Sequence, residues 1–282
     1  DMVRDGELAA SHFLKAALQA LDVEEHSSVI QGLLGRITTC LSAFLPPAVR
    51  RDLAPGTADR LLELARAAQA GSDKQLQLVR AVAAHAVTGE QLDVVAGFLE
   101  GTSALEGLDV DQDLRWDLLT GLVAAGRFGE EWIHAEEDRD RTTTGRERAA
   151  ESRAAIPTPE TKEATWRALV DDASMPNETQ VRVLRGLTSV ERRPDLLVPF
   201  VSEYVEAIDS LWSSRTFHMA ENLLTGLWSC ATVGLDGADP AAALEGWLES
   251  HAQAPAALRR IVRENLDDTR RVARAQAAET SE

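Results

Sequence analysis

Glu131-Trp132-Ile133-His134 is the one Glu-x-x-His step in this sequence. A carboxylate and an imidazole three residues apart share one face of a helix, which is half of a carboxylate-bridged di-iron site. That chemistry needs a second such step on another helix and further carboxylates. The chain has a single step, and a surface pair on an acidic helix is the simpler account. A zinc peptidase helix would read His-Glu-x-x-His, with two ligands one turn apart and a general base between them. None of the six histidines has that context. No Gly-Lys dipeptide, G-x-G-x-x-G loop or G-x-S-x-G elbow is present to cradle a phosphate or present a serine nucleophile.

Two further places could hold a ligand. The arginine-rich end (Arg259, Arg260, Arg263, Arg270, Arg271, Arg274) alternates with apolar residues and with Glu264, Asp267 and Asp268. A solvated, ion-paired helix face explains it, and an arginine gripping a carboxylate in a cavity is the alternative. Tyr204, the only tyrosine, lies on an apolar stripe with Leu197, Val201 and Ile208 and is expected in the core with its hydroxyl at the rim.

These residues must be positioned by helices. The 282 residues are 44% hydrophobic but only 5% aromatic, with Ala and Leu dominant, a mixture that favours helix. No strand-like alternation competes. Helical periodicity predicts a first helix over about 2–23 and a second over 24–44, stopped by Pro46-Pro47. Pro55-Gly56 reads as a turn, with Thr57 capping the next helix. Ser72 and Asp111 are expected N-caps, and Gly71, Gly101 and Gly126 are expected stops. Further helices are predicted at about 128–139, 143–155, 159–173, 177–190, 194–209, 213–231, 239–251 and 255–276. The span 194–209 shows the clearest stripe. Short connections imply antiparallel neighbours, so the expected fold is all-α, an α-α superhelix of helix pairs resembling HEAT or armadillo arrays. Residues 1–276 form a single domain in this reading, and residues 277–282 a disordered tail.

Charge narrows the partners. There are 29 Lys and Arg against 46 Asp and Glu, a net charge of −17. Such a surface repels a nucleic-acid backbone and an anionic membrane. Cys40 and Cys230 lie far apart outside any Cys-x-x-Cys spacing, which suits free thiols in the cytoplasm. No apolar run reaches the ~20 residues that span a bilayer. The start at Asp1 without an initiator Met is what a fragment of a longer protein would show.

Between residues 114 and 166 the pattern is less generic. Leu114-Arg115-Trp116, Asp140-Arg141-Thr142-x-x-Gly145, Ala154-Ala155-x-Pro157-Thr158 and Lys162-x-x-x-Trp166 occur in that order. Asp1-Met2-Val3-Arg4-Asp5-Gly6-Glu7 precedes them. Asn177, Gly186, Leu196-Leu197-x-Pro199, Tyr204, Trp212-x-x-Arg215 and Ala257-Leu258-Arg259-Arg260 follow. The ordered set resembles the C-terminal helical domain of the aminopeptidase N family of gluzincin metallo-aminopeptidases, in its actinobacterial branch. Gly186-Leu187, Tyr204-Val205 and Leu227-Trp228 depart from the family's usual Gly-Phe, Tyr-Phe and Tyr-Pro, exchanging one apolar packing element for another and leaving the implied fold intact.

The resemblance implies a bowl of helix pairs that caps an active site and encloses a cavity for peptide substrates. The family's zinc motif, Gly-Ala-Met-Glu-Asn motif and catalytic tyrosine belong to a catalytic domain upstream, so no catalytic, cofactor or metal residue is assigned here. Zinc would belong to that domain, the expected partner in the same polypeptide. Arg215 and Arg259 are the residues expected to face peptide, since they sit in matching motifs and can hold a carboxylate. A rival reading is a stand-alone helical-repeat scaffold that binds a protein partner in its groove. A second rival is a metalloenzyme built on Glu131 and His134.

Overall fold

The computed structural model describes residues 2–190 and 192–279. Fourteen α-helices and no strands occur among them. They are α1 (Ala10–Val23), α2 (Ser27–Thr39), α3 (Pro47–Ala67), α4 (Asp73–His85), α5 (Gly89–Glu100), α6 (Gln112–Ala124) and α7 (Glu130–Arg139). Then come α8 (Thr143–Ala155), α9 (Pro159–Asp171), α10 (Asn177–Thr188), α11 (Phe200–Ser214), α12 (Phe217–Gly226), α13 (Pro240–Ser250) and α14 (Ala256–Glu279).

Local chemistry sets most boundaries. Ser72, Asp111, Thr142 and Thr158 each accept a hydrogen bond from the backbone N–H three residues on. Each thereby satisfies an amide that the first turn leaves orphaned. Thr88 and Gln91 form a reciprocal capping box at α5. Gly101 closes that helix at φ 77°, a left-handed conformation open to glycine.

Four expectations are corrected. Residues 2–8 form turns, and the first helix begins at Ala10. Pro55-Gly56 is no turn, because α3 runs through both. The interior proline forfeits a hydrogen bond at a cost of about 3 kcal/mol. Burial of Ala58, Leu61, Leu62 and Ala65 against neighbouring helices overrides that local preference. The span 194–209 is broken: Pro194–Leu197 is a 3-10 turn, and α11 starts only at Phe200, after Pro199. Finally, α14 continues through Glu279, so residues 277–279 of the expected tail are helical. Glu279 there accepts the amide of Ser11 at 3.0 Å. Residues 280–282 lie outside the described residues.

Packing is in two layers. Each even-numbered helix lies beside the next, from α2 through α4, α6, α8, α10 and α12 to α14. Each odd-numbered helix packs on the even-numbered helix that follows it. The α8–α10 contact is the most extensive in the molecule. Buried apolar residues fall into two main clusters, one spanning α1 to α8 and one spanning α8 to α14. The last helix also packs on α1 and on the π-helical turn Cys40–Phe44. Arg4 pairs with Asp268 there at 2.8 Å, and Gln276 Nε2 donates to the Ala43 carbonyl at 2.8 Å. The row of helices is thus closed on itself.

Candidate functional site

The stretch from 114 to 166 is a framework of buried polar contacts. Trp116 is fully buried in α6, and its indole N–H donates to Asp140 Oδ2 at 2.9 Å. Asp140 Oδ1 accepts the Thr142 hydroxyl at 2.6 Å and the Thr142 amide at 3.3 Å. Thr142 in turn caps α8 through the amide of Gly145. Gly145 packs so closely that a Cβ would overlap the Asp140 carbonyl. The Asp-x-Thr-x-x-Gly pattern is therefore a helix start locked to a tryptophan. Burial would raise the Asp140 carboxyl, but the hydrogen bonds from Thr142 and Trp116 outweigh it and hold the group below its ordinary range.

Arg115 grips Glu136 with two hydrogen bonds, at 2.8 and 2.6 Å, and donates to the Leu99 carbonyl. Burial would raise Glu136, but bonds from Arg115 and Gln112 hold it low. Across the even-numbered layer runs a ladder of half-buried ions: Arg80 on α4, Asp117 on α6, Arg148 and Glu151 on α8, and Arg182 on α10. The alternating signs satisfy one another.

A second theme is cations placed on helix C-termini, whose last carbonyls lack partners and carry partial negative charge. Lys162 is fully buried and donates from Nζ to the carbonyls of Ala154 at 2.7 Å and Gly186 at 3.0 Å. It ties the ends of α8 and α10 together. Arg192 Nε donates to Ala86 at 2.7 Å, beyond the end of α4.

Arg215 and Arg259 belong to this set. Arg215 Nη2 donates to the Val170 carbonyl in the last turn of α9 at 2.7 Å. Arg259 Nη1 donates to the carbonyls of Leu248 and His251 at the end of α13. The two arginines lie on different helix pairs, and each already holds a carbonyl. Arg259→Ala is expected to destabilise the chain by about 1–2 kcal/mol through loss of these bonds. Urea unfolding checks it, and a side chain waiting only for peptide would leave the midpoint unmoved.

The remaining candidates have ordinary partners. Glu131 and His134 are both exposed, and His134 faces Asp138 at 3.7 Å. Among the described residues no group of three or more His, Cys, Asp or Glu side chains is arranged to hold a metal ion. Of the arginine-rich end, Arg260 pairs with Glu221 and Glu264, Arg270 with Glu245, and Arg271 with Asp267. Tyr204 is fully buried rather than at the rim. Its hydroxyl donates to the Leu224 carbonyl at 2.7 Å and accepts from Asn265, and burial pushes its ionisation well above the ordinary range. No described helix is long and apolar enough to cross a membrane.

His85 gave no signal in the sequence, because nothing local marks it as buried. It packs at the end of α4 against Thr38, at 3.0 Å, and near Arg192. Burial, and then the Arg192 charge, depress its pKa to about 4. The unfolded chain would protonate near 6.5. Below that pH the unfolded state binds the extra proton, so stability present above pH 6.5 is lost as pH falls towards 4. The full loss is about 3 kcal/mol. His85→Gln should flatten the pH dependence of the urea midpoint in that window.

The described polar groups therefore hold helices to helices, and the arrangement is that of an all-α helix-pair domain. The chain belongs to the family described as the ERAP1-like C-terminal domain, which matches residues 1–271. It is also similar to a protein called aminopeptidase N from Streptomyces lividans, at 39% identity over 281 residues. That alignment covers 100% of this chain and 32% of the relative, so the chain spans about a third of the relative's length.

Proposed function

We propose that this chain is the non-catalytic C-terminal domain of a zinc aminopeptidase, capping the active site and enclosing the cavity that holds the peptide behind its first residue. The match to an aminopeptidase N over the chain's whole length carries this reading. The two-layer array of short-looped pairs supports it, since such arrays curve into extended concave surfaces. Residues 1–276 act as one domain in this proposal, and the catalytic domain and peptide substrates are the partners. Capping of this kind excludes water and folded proteins from the reaction. The net charge of −17 would favour cationic peptide N-termini.

Arg215 and Arg259 enter as peptide-facing residues only with the donors their carbonyl bonds leave over.

Two measurements test the proposal. The purified chain is expected to release no nitroaniline from aminoacyl-nitroanilides, and hydrolysis that is abolished by a chelator and restored by zinc would overturn it. The coding sequence upstream of Asp1 is expected to encode His-Glu-x-x-His followed by a further Glu ligand. A stop codon or an unrelated domain there would sink the reading and favour the partner-binding scaffold.

A further inference from the structure

A sizeable cavity lies where the row of helices closes, between α1, α2, the π-helical turn and α14. Its volume is about 620 Å³, in the range of small-molecule sites. Val3, Leu8, Phe13, Phe44 and Val272 line its apolar walls. Cys40 and Cys230 also face it, both held protonated at neutral pH by burial.

Guanidinium groups stand at its rim. Across the sequence acidic residues outnumber basic ones by 46 to 29. The lining of this cavity instead holds Arg4, Arg36 and Arg271 against the single carboxylate of Asp268. Asp268 is occupied by Arg4 at 2.8 Å, and Arg271 leans on Asp267 at 2.7 Å. Arg36, exposed in the last turn of α2, has no ion pair among the described residues. An apolar hollow with the guanidinium of Arg36 at its rim matches a molecule with an acyl body and one carboxylate head, since guanidinium groups bind carboxylates bidentately. A neutral apolar molecule would gain nothing from the arginines, and a small polar anion nothing from the walls.

We infer that this cavity is a binding site for a medium-chain acyl carboxylate, its chain between α1, α2 and α14 and its head at Arg36. Because the walls come from both ends of the sequence, such a ligand bridges the closure and stabilises it, as any ligand of the folded state must. The inference rests on the lining of this cavity and not on the function proposed above.

Isothermal titration of the 282-residue chain with decanoate and with decanol, each kept below its aggregation limit, tests the inference. Decanoate is expected to bind saturably with one site per chain, at least tenfold more tightly than decanol, and to raise the unfolding temperature. Arg36→Glu should weaken decanoate at least tenfold while leaving the circular dichroism of the free chain unchanged. Thr39→Trp, an exposed residue at the cavity, should block entry of both molecules. Absence of saturable binding, equal binding of acid and alcohol, or an Arg36→Glu chain that binds decanoate as the parent does would each overturn the site. If Thr39→Trp fails to fold, the acid–alcohol comparison and Arg36→Glu still decide the matter.

Discussion

Gly186→Val is expected to destabilise the chain by about 3 kcal/mol or more, the upper end of what overpacking costs. Gly186 sits where α10 meets α8, and a Cβ there would overlap the Glu151 carbonyl and come within 2.7 Å of the Ala154 side chain. The obstacle is mainly backbone, so no rotamer change can relieve it. Moving the helices apart would stretch the Lys162 bonds to Ala154 and Gly186, which tie the same two helices. Urea unfolding should show a lower midpoint with the slope retained. Gly246→Ala is the control. That exposed helical glycine has open space around it, and replacement should stabilise by about 0.5–1 kcal/mol. Equal effects at both positions would remove the argument from close approach.

Asp140→Ala is expected to cost about 3 kcal/mol. It leaves the buried Trp116 indole N–H without a partner, a loss of about 1–3 kcal/mol. It also releases the Thr142 hydroxyl that caps α8, for about 1 kcal/mol more. The two parts can be separated by a double-mutant cycle with Trp116→Phe. If the indole bond is real, the double variant should lose less than the sum of the singles, with a coupling of about 1–2 kcal/mol. Additive losses would mean that Asp140 acts only through the cap. The sign of the pH effect follows from the lowered carboxyl: its contribution is present above the ordinary aspartate range and is lost as acid protonates it in the folded state.

The helical class and many boundaries were legible because they depend on neighbours in sequence. Ser72, Asp111, Thr158 and Gly101 act over three or four residues, and the periodicity that places α8 at Thr143–Ala155 is local too. Pro55 misled for the same reason: a local rule reads a break, while the burial that carries α3 through it comes from helices elsewhere in the chain. The stripe over 194–209 was real, but Pro199 divides it, and its first residues pack as a 3-10 turn. The family motifs were visible as a pattern, though not as a mechanism. Nothing in Asp-x-Thr-x-x-Gly says that its aspartate meets a tryptophan 24 residues earlier. Arg215 and Arg259 show the limit most clearly. Sequence can propose that an arginine seeks an anion, but a backbone carbonyl at the end of another helix is an acceptor no composition reveals.

The closure of α14 onto α1 changes the molecule's mechanics. A linear stack of helix pairs has two outermost units, each with one neighbour, and it can fray inward from either. Here those units are neighbours of each other, joined by Arg4 with Asp268, Ser11 with Glu279, and Gln276 with Ala43. The array has become a cycle in which no pair is terminal. Fraying from either end must first break this closure, so the first and last helices are held by contacts that an open stack would lack.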